Sequence, residues 1–74
     1  MQMIDVESSM LSAVGYDPAT QTLRALFNSG ETYDYFEVPQ EVYDQLIESD
    51  SKGHYMSDAI IDLYPYHQVK KKRR

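Results

Sequence analysis

The 74-residue sequence contains no cysteine. No disulfide and no thiolate metal site can therefore hold the fold, and packing must supply its stability. Seven tyrosines and two phenylalanines are the bulk material for that packing. No run approaches the roughly 18 apolar residues of a membrane helix. The acidic opening "MQMIDVESSM" also lacks the basic start of a signal peptide. A cytoplasmic protein with no membrane partner is the expectation. Positive charge is nearly missing from the body. From Met1 to Val69 the chain holds two cations, Arg24 and Lys52, against all 12 carboxylates, a net −10. The other five cations, Lys70, Lys71, Lys72, Arg73 and Arg74, form a +5 tail. Such a body repels phosphate chains at long range, while the tail attracts them. Length allows one domain with a modest core, read as residues 1–69, followed by the basic tail at 70–74.

Local patterns divide that domain into strands and then helices. "MLSAVGY" reads as a short extended segment, and Asp17-Pro18 after it is a type I turn signal. "QTLRALF" places Leu23, Ala25 and Phe27 on one face of a strand and Arg24 and Leu26 on the other. "NSG" follows, and Gly30 can take a positive φ in a bulged turn. With such a turn Phe27 faces Glu31, Ala25 faces Tyr33 and Leu23 faces Tyr35. A two-residue loop would split that apolar set between faces. Val38-Pro39 closes the strand and opens a helix whose Val42, Leu46 and Ile47 form an apolar stripe. "SKGHYMSDAIIDLY" predicts a second helix that Ser51 or Asp50 caps and Pro65 ends. The expected architecture is α+β: a three-stranded antiparallel meander followed by two helices packed on one sheet face. Leu23, Ala25, Phe27, Tyr33 and Tyr35 should share the face covered by Val42, Leu46, Tyr55, Met56, Ile60 and Leu63, and truncating Phe27 to alanine should cost about 3–5 kcal/mol.

Several of these features recur together in a known module. The Gly15-Tyr16-Asp17 corner, Leu23, Phe27, Gly30, the Tyr33-x-Tyr35 pair, Val38-Pro39, the Tyr43 helix, Ser51-Lys52-Gly53 and a late Tyr64-Pro65-Tyr66 stand in order. In that order and spacing the chain resembles the KTSC domain, from about Ser8 to Val69. That module occurs alone in bacterial and phage proteins and at the C-terminus of some lysyl-tRNA synthetases. The family's function is not established, and RNA binding is suggested by the synthetase connection. The chain departs from the family where an asparagine and then a basic residue are usual; Ser57 and Ile61 stand there.

Three groups of residues are candidate sites. Tyr33 and Tyr35 could stack a base, worth roughly 1–3 kcal/mol per ring, although the register argues that they belong to the core. Ser51, Lys52, Gly53 and His54 combine a cap, a lone cation and an open backbone at a helix N-terminus, which is the recipe for an anion site. The same residues also read as an ordinary cap with a solvated lysine, and no glycine-rich loop upstream makes a Walker motif. Glu41, Asp44 and Glu48 lie on the outer face of the first helix and could meet a basic protein. His54 and His67 have no metal-ligand spacing. No catalytic set can be placed, and no cofactor is implied. A core this small leaves no room for a deep, water-excluding pocket. The sequence reads as a small non-enzymatic binding module for RNA or a nucleotide phosphate, using the tail as well. The alternative is a protein–protein adaptor or inhibitor acting through an acidic face.

Overall fold

A computed structural model describes residues 2–69. The elements run β1 (Met3–Asp5), β2 (Leu11–Asp17), β3 (Thr22–Phe27), β4 (Thr32–Tyr35), α1 (Gln40–Glu48), α2 (Lys52–Ala59) and β5 (Tyr66–Val69). All five strands form one antiparallel sheet in the order β1-β2-β3-β4-β5. The α+β class and the two helices agree with expectation. The three-stranded meander does not: β1 flanks it on one edge and β5 returns after the helices to pair with β4.

Local chemistry explains the turns. The Asp17 carboxylate accepts the Ala19 N–H at 3.0 Å, as the Asp-Pro signal requires. The Phe27 N–H donates to the Glu31 carbonyl at 2.9 Å, and the Gly30 N–H to the Phe27 carbonyl at 2.9 Å. Gly30 has φ 97°, a backbone few residues other than glycine adopt cheaply. Leu23 then pairs with Tyr35 and Ala25 with Tyr33, the expected register.

Side chains of that register, together with Val14 opposite Ala25, face the helices. Leu11, Val14, Leu23, Ala25, Tyr35, Val38, Leu46, Met56 and Ile60 make the buried core. The Tyr16 and Tyr43 rings stack at 5.1 Å and tie β2 to α1, and the Tyr16 hydroxyl donates to the Val38 carbonyl. On the opposite face Arg24 clamps Asp34 through two hydrogen bonds of 2.7 and 2.9 Å.

The second helix is shorter than its apolar spacing predicts. Ile60 leaves the helical region at φ −126°, ψ −54°, and Asp62 enters the left-handed region at φ 74°. Leu63 is therefore 65% exposed and covers nothing, contrary to expectation. Phe27 and Tyr33 pack against the core but stay half-buried. Truncating Phe27 should accordingly cost less than a fully buried aromatic would. The loss belongs to Leu23, which has no exposed surface. Leu23→Ala is expected to destabilise by about 2–5 kcal/mol, and Leu63→Ala by no more than about 0.5 kcal/mol. Urea midpoints of the two variants check this, and equal midpoints would contradict the described core.

Candidate functional site

Both cations among the described residues are already engaged. Arg24 is held by Asp34 on the far sheet face. Lys52 folds back so that its Nζ donates to the Ser49 carbonyl at 3.0 Å, just past the end of α1. Ser51 occupies the N-cap position of α2, yet its side chain makes no cap hydrogen bond. Ser49 instead supplies the local polar contacts: its hydroxyl donates to the Ser51 carbonyl at 3.1 Å and accepts the Ser51 N–H at 3.2 Å. Gly53 is not an opening for a ligand. A Cβ there would lie 3.0 Å from the Met10 Cβ and 3.3 Å from the Ser8 Oγ, so glycine serves the close approach of α2 to the β1–β2 connection. His54 lies beside Asp58 at 2.8 Å on the exposed surface. The four residues of the expected anion site are thus adjacent; Lys52, Gly53 and His54 each make an internal contact, whereas the Ser51 side chain makes no cap hydrogen bond.

Glu41, Asp44 and Glu48 are exposed on α1 at spacings of one helix face, where the sequence puts them. Lys70, Lys71, Lys72, Arg73 and Arg74 lie outside the described residues.

Tyr33 and Tyr35 part company. Tyr35 is 4% exposed and belongs to the core, whereas Tyr33 is half-buried. Together with two other rings they wall an open cleft of about 450 Å³ on the helix side of the sheet. Register builds it: Tyr35 lies opposite Tyr66 across β4 and β5, and Tyr33 is two residues away on the same face. The Tyr33 and Tyr66 rings are 5.7 Å apart and tilted by 55°, and Tyr35 and Tyr66 are 5.9 Å apart and tilted by 41°. Phe27 closes one side, edge-on to Tyr33 at 5.7 Å. Tyr66 is 60% exposed, a large apolar surface left to solvent. Ser9, Asn28 and Ser29 add polar groups to the lining, and Met10 a further apolar one. Glu31 and Asp62 add two exposed carboxylates, and Ile61 lies beside Asp62. No lysine, arginine or histidine is among these lining residues.

The cleft also leaves a mark on ionisation. Burial pushes the Tyr35 phenol up to about 12 from its ordinary 10, with smaller contributions from Tyr33, Tyr66 and Asp62. Sequence reasoning places Phe27 on one face with Tyr33 and Tyr35 but misses Glu31, Ile61, Asp62 and Tyr66 as their companions. The one available signal was Tyr66 within Tyr64-Pro65-Tyr66, a motif to which the sequence alone assigns no role.

In class, then, this is a small α+β module: a five-stranded antiparallel sheet with two helices on one face and an aromatic cleft beside them. The family model for the KTSC domain matches residues 7–64, and the chain belongs to that family. A KTSC domain protein from Yersinia pestis, known from its crystal structure, superimposes with a TM-score of 0.91 at 28% identity, over 93% of this chain and 97% of that one. A protein from Tsukamurella paurometabola is 47% identical over 58 residues, 78% of this chain and 87% of its own length. A lysine–tRNA ligase from a Nostoc species is 39% identical over 67 residues, 90% of this chain but only 12% of the ligase.

The raised phenol predicts alkaline instability. Above about pH 10 the unfolded chain gives up the Tyr35 proton that the folded chain keeps. The unfolded state then binds fewer protons, and stability falls as pH rises. This contribution is whole below about pH 10 and is lost by about pH 12, with a limiting slope of about 1.4 kcal/mol per pH unit. Burial also raises the Tyr16, Tyr43 and Tyr55 phenols, which act in the same sense. Tyr35→Phe should flatten the dependence of the urea midpoint on pH in that window. A parent and variant of equal slope would mean that Tyr35 does not carry it.

Proposed function

We propose that the chain is a non-catalytic, cytoplasmic binding module that recognises a protein partner through the aromatic cleft. The observation that carries this reading is the convergence of Phe27, Tyr33, Tyr35 and Tyr66 on one open cleft, with Tyr66 left 60% exposed. Tyrosine offers a large, rigid contact area with a polar tip, and such rings dominate recognition surfaces. Protein rather than nucleic acid is favoured by charge: the body from Met1 to Val69 carries a net −10, and both described cations are spent internally. The reading keeps an acidic recognition surface but moves its centre from Glu41, Asp44 and Glu48 to the cleft. Relatedness to a segment of lysine–tRNA ligases supports residence in the cytoplasm.

A small-molecule fragment screen by NMR tests the reading. Hits should move the ring resonances of Tyr33, Tyr35 and Tyr66 and the amides of Ile61 and Asp62. Tyr66→Ala should weaken those hits roughly tenfold, the loss of about 1.4 kcal/mol of contact, with the unfolding midpoint nearly unchanged. Hits that map elsewhere, or that survive Tyr66→Ala, would defeat it.

RNA or nucleotide binding is the second reading, and the similarity to lysine–tRNA ligases is what favours it. In that case Tyr33 and Tyr66 would stack bases, and Lys70–Arg74 would supply the phosphate affinity. Replacing those five residues by glutamine should then remove most of the salt dependence of RNA binding, since each phosphate contact adds about −0.7 to the log–log slope on single strands. An unchanged slope would count against the tail, and no RNA binding at low salt would end the reading.

A further inference from the structure

The chemistry of the cleft narrows what it accepts. Four of its lining residues offer aromatic faces, and among the described residues its charged groups are Glu31 and Asp62. The two carboxylates come from different parts of the fold: Glu31 from the β3–β4 turn and Asp62 from the turn after α2. Aromatic faces carry negative electrostatic potential, so rings and carboxylates attract the same sign of charge. A phosphate entering here would meet repulsion from both kinds of group. A neutral apolar group would use the rings but gain nothing from the carboxylates. A guanidinium uses both. It is planar and weakly hydrated, stacks on phenol faces, and meets a carboxylate with paired N–H donors. The net −10 charge of the body from Met1 to Val69 would steer such a group inward. Asp62 adds a further indication. It holds φ 74°, where glycine would be unstrained, yet the residue present brings a carboxylate to the cleft.

We propose that the cleft holds the guanidinium of an arginine side chain presented by a basic protein segment. Tyr33 and Tyr66 would stack the cation, and Glu31 and Asp62 would accept its N–H groups. The proposal rests on the reading of the cleft as the recognition site and adds the chemical class of its ligand.

The test uses the full chain and a short glycine–serine peptide carrying one arginine, with the citrulline peptide as its neutral isostere. Tyrosine ring and Asp62 amide shifts are followed while each peptide is titrated into the millimolar range. The arginine peptide should saturate the Tyr33, Tyr35 and Tyr66 shifts, and the citrulline peptide should bind roughly threefold to tenfold more weakly. Asp62→Asn tolerates the left-handed backbone while removing the charge, and Glu31→Gln removes the other. Each should weaken the arginine peptide severalfold and leave the citrulline peptide unaffected, with added salt acting in the same direction. The titration is repeated on a full-length chain with Lys70–Arg74 replaced by glutamine. That change removes the chain's own cations as competitors, and the arginine peptide must bind there too. Equal binding of both peptides at the rings would overturn the arginine proposal while sparing the cleft as a recognition site. Arginine-peptide shifts confined to α1 near Glu41, Asp44 and Glu48 would overturn it as well. If neither peptide moves the rings, but uridine monophosphate does, the ligand is a nucleotide and the proposal is wrong. If none of the three moves them, the proposal fails and the cleft loses its standing as the recognition site.

Discussion

The turn from Phe27 to Glu31 sets the register of β3 against β4, and side chains along a strand alternate between faces. A slip of one residue there would part Leu23 and Ala25 from Tyr33 and Tyr35, sending the two tyrosines to the face occupied by Arg24 and turning Asp34 into the core. Gly30 at φ 97° permits the bulge that prevents the slip. Everything above the sheet inherits that choice. Leu46 and Met56 find a continuous apolar floor, and the Arg24–Asp34 pair falls on the opposite face. Through the Tyr35–Tyr66 pairing, the same register carries the tyrosine row onto β5 and so forms the cleft. Core and candidate site are two ends of one alternating pattern, one roofed by the helices and one not.

Electrostatics follow the same division. With only two cations between Met1 and Val69, the fold uses both as internal fasteners. Arg24 joins neighbouring strands, and Lys52 holds the Ser49 carbonyl between α1 and α2. Among the described residues the remaining lysine, arginine, aspartate and glutamate charge is all carboxylate, and the cleft shares that sign. Ser51-Lys52-Gly53 shows how a local motif and a long-range contact can fall on the same residues. A serine, a cation and a glycine before a helix fit an anion site, yet the glycine answers to Met10 and Ser8, which are remote in sequence and adjacent in space.

The legible parts of this fold were those whose cause is local. The Asp17-Pro18 turn, the Gly30 bulge, the β3–β4 register and the start of α1 each depend on neighbours within a few residues. The edge strands depend on partners. β1 is three residues long and lies among acidic positions, and β5, Tyr-His-Gln-Val, is a strand only because β4 offers its free edge. Tyr33 and Tyr35 were legible as a pair. Their companions were not, because Glu31, Asp62 and Tyr66 come together only when β5 returns to the sheet after the helices.

The end of α2 shows why the site was hardest to read. Ile60, Ile61 and Leu63 continue the helical spacing, and a helix carried through them would look better by periodicity than the one that forms. The chain breaks instead. The Ile60 and Ile61 N–H groups both converge on the Met56 carbonyl, at 3.1 and 2.8 Å, and Asp62 takes the left-handed conformation at a cost of about 1 kcal/mol. The break returns the chain so that the Phe36 N–H reaches the Pro65 carbonyl at 2.8 Å, which starts β5 beside β4. Breaking the helix at Ile60 therefore has three linked effects: it leaves the Tyr33 end of the sheet without a roof, frees the segment that supplies Tyr66, and places Asp62 at the rim. A longer helix would keep its residues in regular hydrogen bonds but could not hand the chain back at Pro65. Pairing of the β4 edge offsets the local strain, since an unpaired edge would leave a row of backbone donors and acceptors without partners. The cleft is thus the by-product of finishing the sheet, and its two carboxylates and four rings stand where that completion puts them.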